Sequence, residues 1–253
     1  MGVFSSEKAR KDQKMNKLQF LPEDWDRGLA IVAHPDDLEY GAASAIARWT
    51  SQGKEISYLL VTKGEAGIDS LSPEEVGPLR EAEQRRAADL VGVQNVRFLD
   101  YQDGMVEYTL ELRRDMCRTI RRYRPNILIT LNYHLTWNGT VLNMADHRWV
   151  GLAVLDAARD AGNRWIFREL LKEGLEPWGD VKMVCISGSP RPTHAVDISP
   201  SLDKGIASLK AHKAYIDNLK GDFNPETFLR DSASGTGKRV GCQYAVSFEV
   251  IQI

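Results

Sequence analysis

Leu29-Ala30-Ile31-Val32-Ala33 is an almost continuous apolar run of strand length, and it passes directly into His34-Pro35-Asp36-Asp37. Such a run fits a strand covered on both faces, the situation of a parallel sheet flanked by helices. The chain then repeats the alternation. A helical pattern spans Ala42 to Gln52, with Gly53 as its stop. Ile56 to Val61 reads as the second strand, 63–78 as a long loop, and 79–91 as a charged amphipathic helix. Val96 to Leu99 is a third strand, Leu110 to Tyr123 a helix closed by Pro125, and Ile127 to Leu131 a fourth strand. A loop leads to Ala145, and a helix follows from Asp146 to Ala161. Strands alternating with helices predict an α/β fold: a Rossmann-like, mostly parallel sheet with helices on both faces.

The last third is less regular. Val181 to Ile186 and Ala195 to Ile198 read as strands, and Ser199-Pro200 suit the start of a helix running to about Leu219. Residues 221–241 are polar and Gly-rich and predict a mobile loop. Within it, Gly235-Thr236-Gly237-Lys238 lacks the spacing of a phosphate loop and follows no strand. Tyr244 to Ile253 alternates as a terminal strand. No linker divides the chain, so the expected organisation is an N-terminal arm, 1–27, and one domain, 28–253.

Composition excludes several function classes. A net charge of -2 leaves no basic excess for nucleic acid. Cys117, Cys185 and Cys242 are far apart and form no CxxC pair, which suits a reducing, cytoplasmic compartment. No apolar run reaches the ~18 residues that would span a bilayer. Met1-Gly2 with Ser6 fits only a loose myristoylation pattern and reads as chance. A homo-oligomer is compatible with the sequence, which identifies no self-complementary face.

In open α/β sheets, ligands bind beyond the carboxyl ends of the strands. The first strand delivers His34, Asp36 and Asp37 there, and the loop after the fourth strand ends at Asp146-His147. Two His and one carboxylate are a common catalytic zinc set with one position open. A neighbouring carboxylate that is not a ligand can take a proton. The chain has only five histidines: His34, His134, His147, His194 and His212. On residue type alone, a structural Asp-Asp turn and a helix-capping Asp146 stand beside the metal reading.

The order of these residues has a known counterpart. Ala33-His34-Pro35-Asp36-Asp37-Leu38-Glu39 resembles the AHPDDxE signature of the GlcNAc-phosphatidylinositol de-N-acetylases, the PIG-L or LmbE-like zinc deacetylases. Asp146-His147-Arg148 resembles the end of that family's second motif. Thr62-Lys63-Gly64-Glu65 is similar to its TxGE loop, and Arg80 to Glu83 to its RxxE helix start. Phe98-Leu99 with Asp103-Gly104 is similar to its FL…DG segment, and Arg124-Pro125 to its RP turn. The resemblance covers roughly residues 28–160 and, less specifically, Thr193 to Asp197 and Lys210 to Tyr215.

The resemblance implies that His34, Asp37 and His147 hold Zn2+ and that Asp36 is the general base. It implies that Arg80 lies near substrate and that Asp146 orients a neighbouring ligand. The implied reaction is hydrolysis of the acetamide (or another acyl amide) of an N-acetylglucosamine-type amino sugar or its conjugate, a small-molecule substrate. Trp137 is a candidate ring for stacking on the sugar, with core packing as the alternative. Asn143, in the same loop, is a candidate substrate contact.

One departure bears on mechanism. The family's second motif usually opens with a histidine that stabilises the oxyanion or protonates the leaving amine, and here that position is Met144. Methionine has no proton to give and no strong donor. His194, at the start of a late strand, is the expected replacement, with His134 and Asn143 as alternatives. The gap also keeps open a metal- and sugar-binding protein with impaired catalysis. An amidase acting on a thiol conjugate of such a sugar shares the same core residues.

Overall fold

A computed structural model of the protein describes residues 18–253. Most of the expected arm, 1–17, and the Met1-Gly2 pattern lie outside the described residues. The remainder of that segment is not a loose arm. Gln19–Phe20 forms a short strand, β1, and Leu18, Leu21 and Trp25 are buried. Trp25 packs edge-on against Trp49, with ring centroids 5.2 Å apart. Three apolar side chains in eight residues have more to gain from burial than from water.

Five strands, β2 (Arg27–Val32), β3 (Glu55–Leu60), β4 (Asn95–Phe98), β5 (Ile127–Leu131) and β6 (Met183–Ser187), run parallel in the order β4-β3-β2-β5-β6. The terminal strand β8 (Ala245–Gln252) pairs antiparallel with β6 and with β7 (His194–Asp197), and β1 closes the edge beside β7. The centre of the sheet is fully covered: every residue of β5 and β6 is buried. Helices α1 (Ala43–Ser51), α2 (Pro73–Leu90) and α6 (Leu202–Lys210) pack together, as do α3 (Leu110–Tyr123) and α4 (Ala145–Asp160). Right-handed crossovers put the two groups on opposite faces. No described helix is long and apolar enough to cross a membrane.

The structure differs from the sequence-based expectation at three helices. α2 begins at Pro73 rather than 79, because Ser72 and Glu75 form a reciprocal capping box with Pro73 in the first turn. The helix expected to reach Leu219 breaks at His212 into α6 and a short α7 (Lys213–Asp217). The segment expected to be a mobile loop is a helix, α8 (Pro225–Val240); the short α5 (Glu169–Lys172) lies between α4 and β6. Asn224 caps α8 by accepting from Thr227 N, a bond worth about 1 kcal/mol. Only Leu229, Ala233 and Gly237 bury, one residue per turn, so the apolar signal is thin. Gly237 lets α8 meet the chain after it: a Cβ there would come within 2.7 Å of the Cys242 and Gln243 carbonyls.

From the sheet centre, β3 and β4 lie outward from β2, and β6 lies outward from β5 on the other side. The chain thus diverges between β2 and β5, and the crevice at their carboxyl ends is where such a sheet binds ligands.

Candidate active site

His34, Asp37 and His147 meet at that crevice. His34 Nδ1 lies 3.2 Å from His147 Nε2, Asp37 Oδ1 lies 3.0 Å from His147 Nε2, and Asp37 Oδ2 lies 3.7 Å from His34 Nδ1. The other ring nitrogens are already spoken for. His34 Nε2 faces Asp103 Oδ1 at 2.9 Å and Asp146 Oδ2 at 3.2 Å, and a carboxylate can only accept, so this nitrogen carries the hydrogen. His147 Nδ1 lies 3.1 Å from Asn143 Oδ1. The Asn143 amide is oriented by its Nδ2, which donates to the Asn132 and His134 carbonyls at 2.6 and 3.0 Å. His147 Nδ1 is therefore also a donor. Two imidazole lone pairs and a carboxylate then converge with no hydrogen among them, a donor set that could hold a cation.

Burial alone would lower the His34 pKa, but its bonds to Asp103, Asp146 and Asp37 outweigh burial and raise it well above the usual imidazole value. Burial would raise Asp37, and the two histidines hold it well below the usual carboxylate range instead.

Asp36 stands beside this trio. It is buried with a left-handed backbone, φ 83°, a strained conformation for a residue with a Cβ. Burial pushes its pKa up to about 7, against the pull of Arg80. Arg80 Nη2 pairs with Asp36 Oδ2 at 3.0 Å, and the guanidinium also donates to the Pro35 and Gly64 carbonyls. Arg80 is 3% exposed and so is not a surface arginine. Removing it would strand a buried carboxylate, at a cost of about 3–5 kcal/mol. The family resemblance implies a place near substrate for Arg80; the structure makes it the partner of Asp36 in the wall of the cavity.

The lesser motifs converge on the same place. Gly64, at φ 65°, leaves room for Arg80, whose Nη1 a Cβ would meet at 2.3 Å. Glu65 accepts from Asp103 N, and Asp103 Oδ2 accepts from Ala66 N. Asp146 accepts from Gly104 N and Val106 N as well as from His34, contacts that fix the direction of its carboxylate against the His34 ring.

A cavity of about 560 Å³ opens over the trio. Trp137 lines it, set edge-on to His147 with ring centroids 5.6 Å apart. Met144 also lines it, at the residue before α4. Asn143 is not among the lining residues; its amide is committed to His147 and to its own loop. His134 pairs with Glu249 at 2.7 Å, and the cavity does not include it. His194 is not brought to the cavity either. It pairs in register with Gln19 and Phe248, with Nδ1 bonded to Thr193 Oγ1 at 2.8 Å. Four strand spacings, roughly 19 Å, separate β7 from β2, because β8, β6 and β5 intervene.

Sequence reasoning misses the far wall, which is built by Tyr40, Tyr215 and, from α8, Phe228 and Ser232. The Tyr215 ring lies under the Arg80 guanidinium at 4.2 Å. In the sequence, His212 stands out only as a scarce residue type. It is fully buried with its Nε2 3.6 Å from Glu39 Oε2, and Glu39 raises its pKa against the opposing effect of burial.

Comparison with known proteins agrees with this arrangement. A diacetylchitobiose deacetylase of Thermococcus kodakarensis is 30% identical over 245 residues, 96% of this chain and 88% of the relative. The solved structure of N,N'-diacetylchitobiose deacetylase from Pyrococcus horikoshii superposes with a TM-score of 0.83 at 23% identity, covering 99% of this chain and 94% of that one. GalB, the 4-carboxy-2-hydroxymuconate hydratase of Pseudomonas putida KT2440, has the same fold at TM-score 0.71 and 18% identity, covering 89% of this chain and 96% of that one. The fold by itself therefore does not select the reaction. The family profile described as PIG-L, GlcNAc-PI de-N-acetylase, matches residues 29–158, more than half of the chain. With a full-length relative at 30% identity beside it, the chain belongs to the PIG-L family of GlcNAc-PI de-N-acetylases.

Proposed function

We propose that the protein is a zinc-dependent N-deacetylase that hydrolyses the acetamide of an N-acetylglucosamine-type amino sugar or its conjugate. The observation that carries this reading is the convergence of His34 Nδ1, His147 Nε2 and Asp37, beside a buried carboxylate that is free of the trio. The relatives support it: two that match nearly the whole chain are named as deacetylases of diacetylchitobiose.

His34, Asp37 and His147 would hold the ion, and zinc suits two imidazoles and one carboxylate. When bound, it would supply Lewis-acid polarisation of the acetamide carbonyl and lower the pKa of the attacking water. Asp36 takes the proton of that water. Arg80 occupies its Oδ2, which leaves Oδ1 for the proton. Burial favours the protonated form of this carboxyl, so Asp36 can hold the proton between the two transfers. Asp36 then delivers the proton to the departing amine, so acetate and a free amino sugar leave. Trp137 and Tyr40 offer apolar faces to the sugar ring.

The test is release of acetate and free amine from N-acetylglucosamine and N,N'-diacetylchitobiose by zinc-loaded protein, with and without a chelator. Chelator-sensitive release of both products is expected. Met144 in the cavity wall favours one competing reading, a metal- and sugar-binding protein without turnover. Saturable binding of these sugars with no acetate released would select that reading.

A further inference from the structure

Asp36 is held twice by one face of α2. Arg80 and Gln84, one turn apart, reach its side chain and its backbone respectively. Gln84 Oε1 accepts from Asp36 N at 2.9 Å, inside the protein. The Gln84 amide cannot turn over, because its Nε2 donates to Glu39 Oε1 at 3.0 Å. A flipped amide would set N–H against N–H and carbonyl against carboxylate. The C-terminal segment packs against Glu39: Ser208 Oγ lies 3.3 Å from Oε1, with its hydrogen also directed at the Ala87 carbonyl at 2.9 Å, and His212 Nε2 lies 3.6 Å from Oε2, an ion-pair distance and not a hydrogen bond. Gln84, Glu39, Ser208 and His212 are each no more than 1% exposed.

We infer that Gln84, braced by Glu39, is a positioning residue that holds Asp36 in its left-handed conformation and so aims its carboxylate at the reacting water. The inference rests on the reading of Asp36 as the base. Arg80 alone does not secure this aim. It holds Oδ2 and the Pro35 carbonyl, one edge of the planar Pro35–Asp36 peptide, while Gln84 holds the N–H at the opposite edge of that same unit. Relaxation to an ordinary negative φ removes strain and swings the carboxylate; the Gln84 bond opposes it from the N–H side, as Glu39 N and Tyr40 N do at the Asp36 carbonyl. Gln84 has no bond to the trio and does not itself line the cavity; it reaches the site through Asp36, so its effect falls on turnover and not on metal.

The experiment compares three variants on N,N'-diacetylchitobiose, with kcat, KM, zinc content and Tm measured on the same preparations. Gln84→Met removes both hydrogen bonds at similar volume. Its kcat is expected to fall roughly 10- to 100-fold, the cost of a misplaced reacting group, with KM and zinc per chain unchanged. The double variant Gln84→Glu/Glu39→Gln restores both bonds with one of them reversed in direction: the carboxylate introduced on α2 would accept from Asp36 N and from the amide introduced opposite it. It is expected to recover kcat to within about threefold of the parent. Asp36→Asn, run in parallel, separates the two readings. An inactive Asp36→Asn beside a Gln84→Met of parental kcat overturns this inference alone. A fully active Asp36→Asn overturns the role of Asp36 and this inference with it. A double variant no better than Gln84→Met, or activity lost only in proportion to zinc, also overturns it. If Gln84→Met does not fold, Gln84→Ala is read by the same outcomes.

Discussion

His34 Nδ1 and His147 Nε2 face each other at 3.2 Å, each stripped of its hydrogen by what lies behind the ring: Asp103 and Asp146 for His34, Asn143 for His147. Two lone pairs repel at that distance unless a cation lies between them. The purified protein is therefore expected to carry about one divalent ion per chain, zinc by preference for such ligands. Elemental analysis after dialysis checks this. Full occupancy in His147→Ala would refute the ligand set.

Metal loading should release protons. Without metal, His34 holds its proton well above the usual imidazole value of about 6.5. The stability this proton contributes is present below that value and is lost as pH rises through the raised, folded-state pKa. Metal replaces the proton, so apparent affinity is expected to rise with pH across the neutral range. Calorimetric titration in two buffers of different ionisation heat counts the protons. A zero count at pH 7 would mean that His34 is already neutral in the metal-free chain.

Asp36→Asn should separate turnover from metal binding. Asp36 is bonded to Arg80 and not to the trio, so its neutral isostere is expected to keep zinc while losing about 10²–10⁴ in rate. Parallel metal analysis and acetate release measure the two. An active variant would require a different base.

Asn143 should matter for metal and not for substrate. Its Oδ1 sets the tautomer of His147, and it is absent from the cavity lining. Asn143→Ala is expected to weaken metal affinity about 10- to 100-fold, with KM at saturating metal unchanged. A raised KM at parental metal affinity would return Asn143 to the role of a substrate contact.

His194 and Met144 should diverge. His194 lies on β7, outside the cavity, so His194→Ala is expected to hold turnover within about twofold. Met144 lines the cavity, and Met144→His puts a donor there; turnover is expected to rise. Acetate release by the two variants decides. A tenfold loss in His194→Ala would restore it as the proton donor.

Local order carried much of this protein. The apolar run at 29–33, its direct passage into His34-Pro35-Asp36-Asp37, and the alternation of strands and helices already specified a parallel α/β sheet with its chemistry at the carboxyl ends. Those are short-range signals, because a strand buried on both faces and a helix start are written in consecutive residues. The tautomers of His34 and His147, the pairing of Arg80 with Asp36, and the brace from Glu39 to Gln84 were decided only by tertiary structure. Each joins residues distant along the chain, and no spacing rule says which nitrogen faces which oxygen. The same holds for α8: one buried residue per turn leaves its sequence polar, and it became a helix with Phe228 in the cavity wall because Asn224 caps it and Gly237 lets it pack. His194 misleads for the complementary reason. A strand start in the sequence does not reveal that two strands, β8 and β6, will be laid between it and the strands that hold the site.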